Sequence, residues 1–225
     1  MSMRARQALA EAEVIVGYQT YLGFLDELLA GKELVNSGMR KEVERGEIAV
    51  EQAKAGKKVA VVSSGDAGVY GMAGVILELV GEQDIEVEVV PGITAASAAA
   101  ACLGAPLMHD FAVISLSDLL TPWELIKKRL ACAAEGDFII TLYNPRSKGR
   151  RNQIVEAQQI ISQFRDAKTP VGIVRNAKRE GEEVVITTLG EMFDHNIDMF
   201  TMVVIGNSQT FSNSKYMITP RGYRI

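Results

Sequence analysis

The strongest constraint on the fold is an apolar run that meets a helix-like segment through a turn with almost no large side chains. The run Val59–Val62 is β-branched and uncharged, as expected of a buried strand. The turn covers residues 63–68, Ser-Ser-Gly-Asp-Ala-Gly, and residues 69–80 then predict a helix. Glycines at such a corner let a ligand approach the backbone, where the first N–H groups of a helix are unsatisfied donors. The corner suits either a small polar ligand, with Asp66 accepting from its hydroxyls, or a tight turn that only needs glycine.

Strand-like and helix-like segments alternate along most of the chain, which favours an α/β architecture with a largely parallel sheet. The predicted strands are residues 14–16, 59–62, 85–90, 111–115, 138–143, 171–175, 183–188 and 201–205. The predicted helices are 18–29, 42–55, 69–80, 93–103, one opening at 121–124, and 152–164. A break at residues 104–106, Gly-Ala-Pro, divides the pattern into two α/β domains, 1–106 and 107–225. A ligand is then expected in the interdomain cleft.

Charge and composition exclude several classes of partner. The formal net charge is −4, which argues against an obligate nucleic-acid partner, because phosphate binding normally requires a basic face. No apolar stretch approaches the roughly 18 to 20 residues that span a bilayer, so no membrane partner is expected. The first residues lack the apolar core of a signal peptide. A cytoplasmic protein is therefore expected.

Cysteine and histidine usage favours a cytoplasmic protein without a metal site. Cys102 and Cys132 lie in alanine-rich, helix-like surroundings, which indicates reduced core thiols of a cytoplasmic protein. With only His109, His195 and these two distant cysteines, no zinc-ligand spacing is present, and no metal site is expected.

A second corner made of small residues follows the predicted strand 85–90. Residues 91–97 read Pro-Gly-Ile-Thr-Ala-Ala-Ser. The hydroxyl of Thr94 can cap the next helix, and Ala95 leaves room for a flat group to lie close to the chain. Ordinary helix capping explains the same residues without a ligand.

A basic loop follows the strand that ends at Tyr143. Arg146, Lys148, Arg150 and Arg151 crowd into six positions of an acidic protein, and loops beyond strand ends bind ligands in α/β folds. Arginine pairs with carboxylates through two parallel hydrogen bonds, so a polycarboxylate substrate is one interpretation and a solvated loop is the other.

Two further polar runs are candidates for function. The segment 175–179, Arg-Asn-Ala-Lys-Arg, repeats the pattern of a strand end followed by basic side chains. His109 and Asp110 lie at the predicted domain junction, where the histidine is either an acid–base group or a hydrogen-bonded linker residue.

Together these stretches resemble one family, the tetrapyrrole methylases of cobalamin biosynthesis, and within it the precorrin-3B (or cobalt-precorrin-3) C(17)-methyltransferases. The matching runs are 64–73, 91–95, 103–111, 114–124 and 142–147, and the resemblance covers essentially the whole chain. The runs Ser-Asp-Leu-Leu-Thr-Pro-Trp-Glu at 117–124 and Tyr-Asn-Pro-Arg-Ser at 143–147 look specific to this subfamily. The family pattern begins with a strand and a Gly-x-Gly-Pro-Gly loop ahead of Arg4-Ala5-Arg6, and both are absent from this sequence.

The resemblance implies a homodimer of two-domain subunits that bind S-adenosylmethionine in the interdomain cleft. Carried over by motif, the residues implied to contact the cofactor are Ser64, Gly65, Asp66, Val69, Thr94, Ala95, Asn144 and Ala177. The implied reaction is methyl transfer to ring carbon 17 of a precorrin-3-type tetrapyrrole, coupled to contraction of the macrocycle.

Two roles follow as hypotheses from the resemblance and the residues together. The basic residues Arg146, Lys148 and Arg150 would hold substrate carboxylates beside the cofactor-facing Asn144. His109 or Asp110 would transfer the proton in ring contraction.

Three alternative functions remain open at this point. A sister precorrin methylase would act at another ring position, and a protein that binds the cofactor without turnover would act at none. A methylase of the same fold acting on ribosomal RNA or a translation factor fits the net charge and the subfamily runs less well. The sequence leaves open whether the aerobic or the cobalt-first pathway supplies the substrate.

Overall fold

A computed structural model describes residues 1–25, 28–38 and 41–224 of the chain. It consists of two compact units, Met1–Thr94 and Ala95–Ile225. Each unit contains β-sheet and helices, so the predicted α/β class is confirmed. The boundary falls ahead of helix α5 (Ala95–Leu103), earlier in the chain than the break at 104–106, because α5 packs on the sheet of the second unit.

The first unit is built on a parallel three-stranded sheet in the order β2-β1-β3. The strands are β1 (Val14–Tyr18), β2 (Glu33–Ser37) and β3 (Val59–Val62). The helices are α1 (Met3–Glu11), α2 (Gln19–Leu22), α3 (Glu42–Lys54) and α4 (Ala73–Val80). Ile15 packs with residues of α1 and α2, whereas Val14 and Val16 pack with α3. Burial on both faces explains why this strand is apolar throughout.

Two predicted elements of the first unit differ from the structure. The helix predicted over 18–29 ends with α2 at Leu22, and residues 26–27 lie outside the described ones. The helix predicted over 69–80 begins only at Ala73, since residues 69–72 form a turn in which the amide of Met72 donates to Ser63 Oγ at 2.9 Å.

The strand predicted over residues 85–90 is wrong. Its side chains do alternate between half-buried and exposed from Ile85 to Glu88, as the sequence pattern indicates. A strand also needs a hydrogen-bonded neighbour, and these residues pair with no strand of the described chain. The alternation therefore identifies which side chains are half-buried, but it does not show that the segment is hydrogen-bonded to a neighbouring strand.

The second unit contains a five-stranded sheet in the order β5-β6-β9-β7-β8 and a small sheet in the order β10-β11-β4. The strands are β4 (Gly104–Ala105), β5 (Phe111–Ser115), β6 (Ile139–Tyr143), β7 (Pro170–Arg175), β8 (Glu183–Thr188), β9 (Thr201–Ile205), β10 (Phe211–Ser212) and β11 (Met217–Ile218). In the large sheet only β5 and β6 pair in parallel. The expectation of a largely parallel sheet is correct for the first unit and wrong here, because the short β7–β8 connection returns the chain antiparallel.

Helices cover both faces of the large sheet. Helices α6 (Trp123–Glu135) and α7 (Gln153–Ile161) pack on one face, and α5 packs on the other through Ala96, Ala99 and Leu103. Gly172 of β7 permits this approach, since a Cβ there would lie 2.2 Å from Leu103 Cδ1. A short 3-10 helix, Met192–Asp194, precedes β9.

Both cysteines are free, and their burial corrects the sequence expectation of two core thiols. Cys102 is half-buried, whereas Cys132 is exposed on α6. Among the described residues, every helix is too short or too polar to cross a bilayer. The same residues contain no cluster of three or more His, Cys, Asp or Glu side chains that could hold a metal ion.

Candidate functional site

The two small-residue corners of the first unit are joined by one carboxylate. Asp66 Oδ1 accepts a hydrogen bond from the Gly68 amide at 2.8 Å, and Oδ2 accepts one from the Gly92 amide at 2.8 Å. Donation from the Gly92 and Gly68 amides lowers the pKa of Asp66 and keeps it ionised. Asp66 therefore clamps the turn after β3 to the turn before α5, a role that the sequence interpretation of a hydroxyl acceptor missed.

Backbone contact between the same turns leaves no space for a side chain. A Cβ built on Gly92 would lie 1.9 Å from the carbonyl oxygen of Gly65, which itself has a left-handed φ of 75°. Gly65 and Gly68 are exposed, and Ser64, Asp66, Val69 and Thr94 are half-buried. Gly65 and Gly68 thus expose backbone beside the anionic side chain of Asp66.

One edge of the large sheet gathers the candidate residues that follow β6 and β7. Pairing of Ser115 with Tyr143 and of Arg175 with Thr201 places the ends of β5, β6 and β7 and the start of β9 at this edge. Asn144 follows β6 with a left-handed φ of 51°, and its Nδ2 donates to Ser115 Oγ at 3.0 Å. The polar end of Asn144 is therefore held at this edge by the neighbouring strand.

The start of α5 is tied to the same edge by a tyrosine. The hydroxyl of Tyr143 accepts from the Ala96 amide at 2.9 Å, which satisfies one of the free donors at the helix start. Ala95, Tyr143 and Ala177 pack against one apolar cluster. Ala95, Ala177 and Tyr143 thus lie around the same cluster. Sequence reasoning did not select Tyr143, although its position next to Asn144 in the run 143–147 was an available signal.

The basic loop contains two kinds of cation. Arg146 and Lys148 are exposed and have no carboxylate partner among the described residues. Arg150 is half-buried: its Nη2 donates to the Asn144 carbonyl at 3.0 Å and its Nη1 to Ser117 Oγ at 3.4 Å. Burial lowers the pKa of Arg150, partly offset by Asp118. Arg150 therefore braces the loop, while Arg146 and Lys148 are accessible to an anionic ligand.

The second basic run begins with an arginine that is ion-paired with two carboxylates. Arg175 Nε donates to Asp198 Oδ2 at 2.8 Å, and its Nη1 lies 3.3 Å from Glu183 Oε1. The hydrogen bond to Asp198 raises the pKa of Arg175. Arg175 is therefore paired with carboxylates of the chain itself, unlike the accessible cations Arg146 and Lys148 of the basic loop.

His109 and Asp110 lie away from the other candidates of the second unit. They precede β5, whereas Ser115 and Asn144 lie beyond the ends of β5 and β6, a separation of roughly 15 Å for a five-residue strand. The Asp110 amide donates to His109 Nδ1 at 3.0 Å, and both side chains are exposed. The structure brings these two residues together but does not bring them to the edge that contains Asn144.

Comparison with known proteins assigns the class of protein. A sequence profile of the tetrapyrrole (corrin/porphyrin) methylases matches residues 1–192. The chain belongs to this family, and it is a methyltransferase of the class that uses S-adenosylmethionine.

Two relatives are similar to this chain along its whole length. A probable cobalt-factor III C(17)-methyltransferase of Salmonella typhimurium is 50% identical over 227 residues, which cover 100% of this chain and 94% of the relative. A cobalt-factor III methyltransferase of Priestia megaterium is 52% identical over 100% of this chain, but the chain spans only 43% of that relative.

Solved structures share the fold. The methyltransferase CobJ superposes with a TM-score of 0.91 at 37% identity, covering 98% of this chain and 93% of that chain. A uroporphyrin-III C-methyltransferase from Thermus thermophilus, complexed with S-adenosylhomocysteine, gives a TM-score of 0.69 at 25% identity, covering 92% and 86% of the two chains.

Proposed function

We propose that the chain methylates ring carbon 17 of a precorrin-3-type tetrapyrrole, with contraction of the macrocycle, in cobalamin biosynthesis. The observation that carries this proposal is the 50% identity to the Salmonella cobalt-factor III C(17)-methyltransferase over 94% of that protein. The 117–124 and 143–147 runs support the same subfamily over a sister methylase acting at another ring position. Cobalt-factor III and precorrin-3B share the chemistry expected of the substrate, which is a macrocycle with peripheral carboxylates.

The cofactor supplies an electrophilic methyl group on a sulfonium. We assign its binding to Ser64, Gly65, Asp66, Val69, Thr94, Ala95, Asn144 and Ala177. The residues present fit such a group, because accessible backbone at Gly65 and Gly68 lies beside the ionised Asp66, and Asn144 is oriented by Ser115. Methyl transfer requires in-line placement of the methyl group and the acceptor carbon, so we assign these residues a positioning role.

A test of this function follows one methyl group. The protein is incubated with cobalt-factor III and S-adenosylmethionine labelled with carbon-13 in its methyl group. We expect one labelled methyl at carbon 17 by mass spectrometry and carbon NMR, in a contracted macrocycle. A labelled methyl at another carbon would identify a sister methylase, and cofactor binding with no transfer would identify a protein without turnover.

Substrate carboxylates are assigned to Arg146 and Lys148, with Arg150 holding the loop that presents them. Each charge-assisted hydrogen bond contributes about 1.5–3 kcal/mol, so Arg146→Ala with Lys148→Ala should raise KM for cobalt-factor III about tenfold or more. The affinity for S-adenosylhomocysteine should stay unchanged. Lys168→Ala is the matched control, because this exposed lysine precedes β7 at the opposite edge of the sheet. An unchanged KM in the double variant would overturn the assignment.

Variants of His109 and Asp110 test whether either residue transfers the proton in ring contraction. We keep His109 and Asp110 as the proposed proton-transfer residues, so His109→Ala should yield methylated product that is not contracted, and contracted product at the wild-type rate would exclude His109. Asp110→Asn serves as the companion variant, since its amide hydrogen bond to His109 Nδ1 is a backbone one and is retained. Methylation without contraction in either variant, read by product mass, would assign that side chain to proton transfer.

We also propose a homodimer in the cytoplasm, without a nucleic-acid or membrane partner. Leu119 and Leu120 support a self-association surface, being 60% and 98% exposed on the loop before α6. Light scattering after size exclusion should give a dimer mass for the wild type. Leu120→Ser should shift the mass toward a monomer. A monomeric wild type would contradict this proposal.

A further inference from the structure

A groove of about 360 Å³ lies in the second unit between the basic loop with the start of α7 and the segment before β9. Its floor is apolar: Ile154 and Ile197 are each 2% exposed. Val155 and Phe193 also line it, at 39% and 42% exposure. The volume falls within the range of about 300–1,000 Å³ that is usual for ligand sites.

Cationic and donor groups surround this apolar floor. Among the described residues, Arg146, Arg151 and His195 line the groove, and no carboxylate does. Within the described part of the chain, neither arginine has an ion-pair partner, in contrast to Arg175 with its two carboxylates. A neutral imidazole can donate from whichever nitrogen carries its proton, so His195 adds a third possible donor. An anion entering the groove would meet donors without a competing negative charge.

A neighbouring groove of about 380 Å³ shares Arg151 but differs in its chemistry. It is lined by Glu156 as well as Lys148, and the Glu156 carboxylate accepts from Trp123 Nε1 at 2.8 Å. A fixed carboxylate disfavours a second anion. The groove between Arg146 and Phe193 is therefore the better anion site of the two.

The strand order places this groove at the edge of the sheet that contains Asn144. The antiparallel pairing of Leu142 with Val203 brings the end of β6 beside the start of β9. Arg146 follows β6 along the chain, and the segment 193–197 precedes β9. Two stretches far apart in sequence thus contribute the two sides of one groove.

We propose that this groove binds one carboxylate-bearing aliphatic arm of the tetrapyrrole. Ile154, Ile197 and Phe193 contact the methylene groups, while Arg146 and Arg151 bind the carboxylate and His195 donates to it. Phe193 and His195 are thereby specificity-determining residues that no sequence motif marks. This inference rests on the proposed function for the identity of the ligand.

The test measures direct binding of uroporphyrin III, a tetrapyrrole with peripheral carboxylates, by fluorescence titration of the purified protein. Arg151→Ala and Phe193→Ala should each weaken binding about tenfold or more, and His195→Ala about threefold or more. Lys168→Ala, at the opposite edge of the sheet, should bind as the wild type does. Far-UV circular dichroism and S-adenosylhomocysteine affinity should be unchanged in all four variants, because none of the substituted residues is assigned to the cofactor.

Each outcome separates this inference from the proposed function. Variants that bind uroporphyrin III like the wild type, or a wild type that does not bind it, overturn the groove assignment, whatever the methylation assay shows. A wild type that binds through the groove but transfers no methyl group to cobalt-factor III retains the groove assignment and rejects the proposed function.

Discussion

Replacing Gly92 by alanine should abolish cofactor binding and destabilise the first unit by about 2–5 kcal/mol, from overpacking and a weakened charge-assisted hydrogen bond. The new Cβ would lie 1.9 Å from Gly65 O and 3.2 Å from Asp66 Cα, and both are backbone atoms that no side-chain rotation can move. The two turns must then separate. That separation breaks the hydrogen bond from the Gly92 amide to Asp66 Oδ2.

Thermal unfolding and calorimetric titration with S-adenosylhomocysteine measure this effect. Gly74→Ala is the matched control, since Gly74 lies in α4 and nothing beyond the helix's own backbone lies within 4 Å of the position that a Cβ would take. Alanine should stabilise that helix by up to about 1 kcal/mol and leave cofactor affinity unchanged. A Gly92→Ala protein with wild-type unfolding temperature and cofactor affinity would show that the two turns are not clamped as described.

The second large effect is expected from Asp66→Asn, which should weaken S-adenosylhomocysteine binding about tenfold or more. The asparagine amide has one acceptor oxygen and one donor group, so it can no longer accept from both Gly68 and Gly92. One turn loses its partner, and the surface of accessible backbone at Gly65 is no longer fixed. Calorimetry of the variant measures the loss, and wild-type affinity would contradict the clamp.

The same carboxylate predicts a pH dependence with a defined sign. Hydrogen bonds from Gly92 and Gly68 lower the folded-state pKa of Asp66 below its unfolded value. Its contribution to stability is therefore present above the unfolded pKa and is lost as pH falls through the folded pKa. Between neutral pH and about pH 3, the wild type should lose more unfolding free energy than Asp66→Asn does. Parallel loss in both proteins, measured by denaturant unfolding, would rule out this linkage.

Local sequence signals were sufficient for the parts of the site that depend on the backbone. Gly65 has a left-handed φ of 75°, and a Cβ on Gly92 would meet the backbone of Gly65, so glycine is required at both positions and the small-residue corners were visible in the sequence. The buried strands β1, β3 and β6 were equally visible, because strands covered on both faces are continuous apolar runs.

Long-range pairing could not be predicted in the same way. The antiparallel order β6-β9-β7 depends on which strands meet, and the segment 85–90 has a strand pattern without a partner in the described chain. The Tyr143 hydroxyl on the Ala96 amide, and Arg150 on the Asn144 carbonyl, are likewise contacts set by tertiary packing. A sequence pattern identifies the chemical type of such side chains, but it does not tell whether they bind a ligand or another part of the chain.

The most direct test of this account is a calorimetric titration of the purified 225-residue protein with S-adenosylhomocysteine. We predict one site per chain with micromolar affinity, because Gly65 and Gly68 offer accessible backbone beside the ionised Asp66. No detectable heat from a protein shown to be folded by circular dichroism would contradict the assignment of the cofactor site and, with it, the proposed methyl transfer.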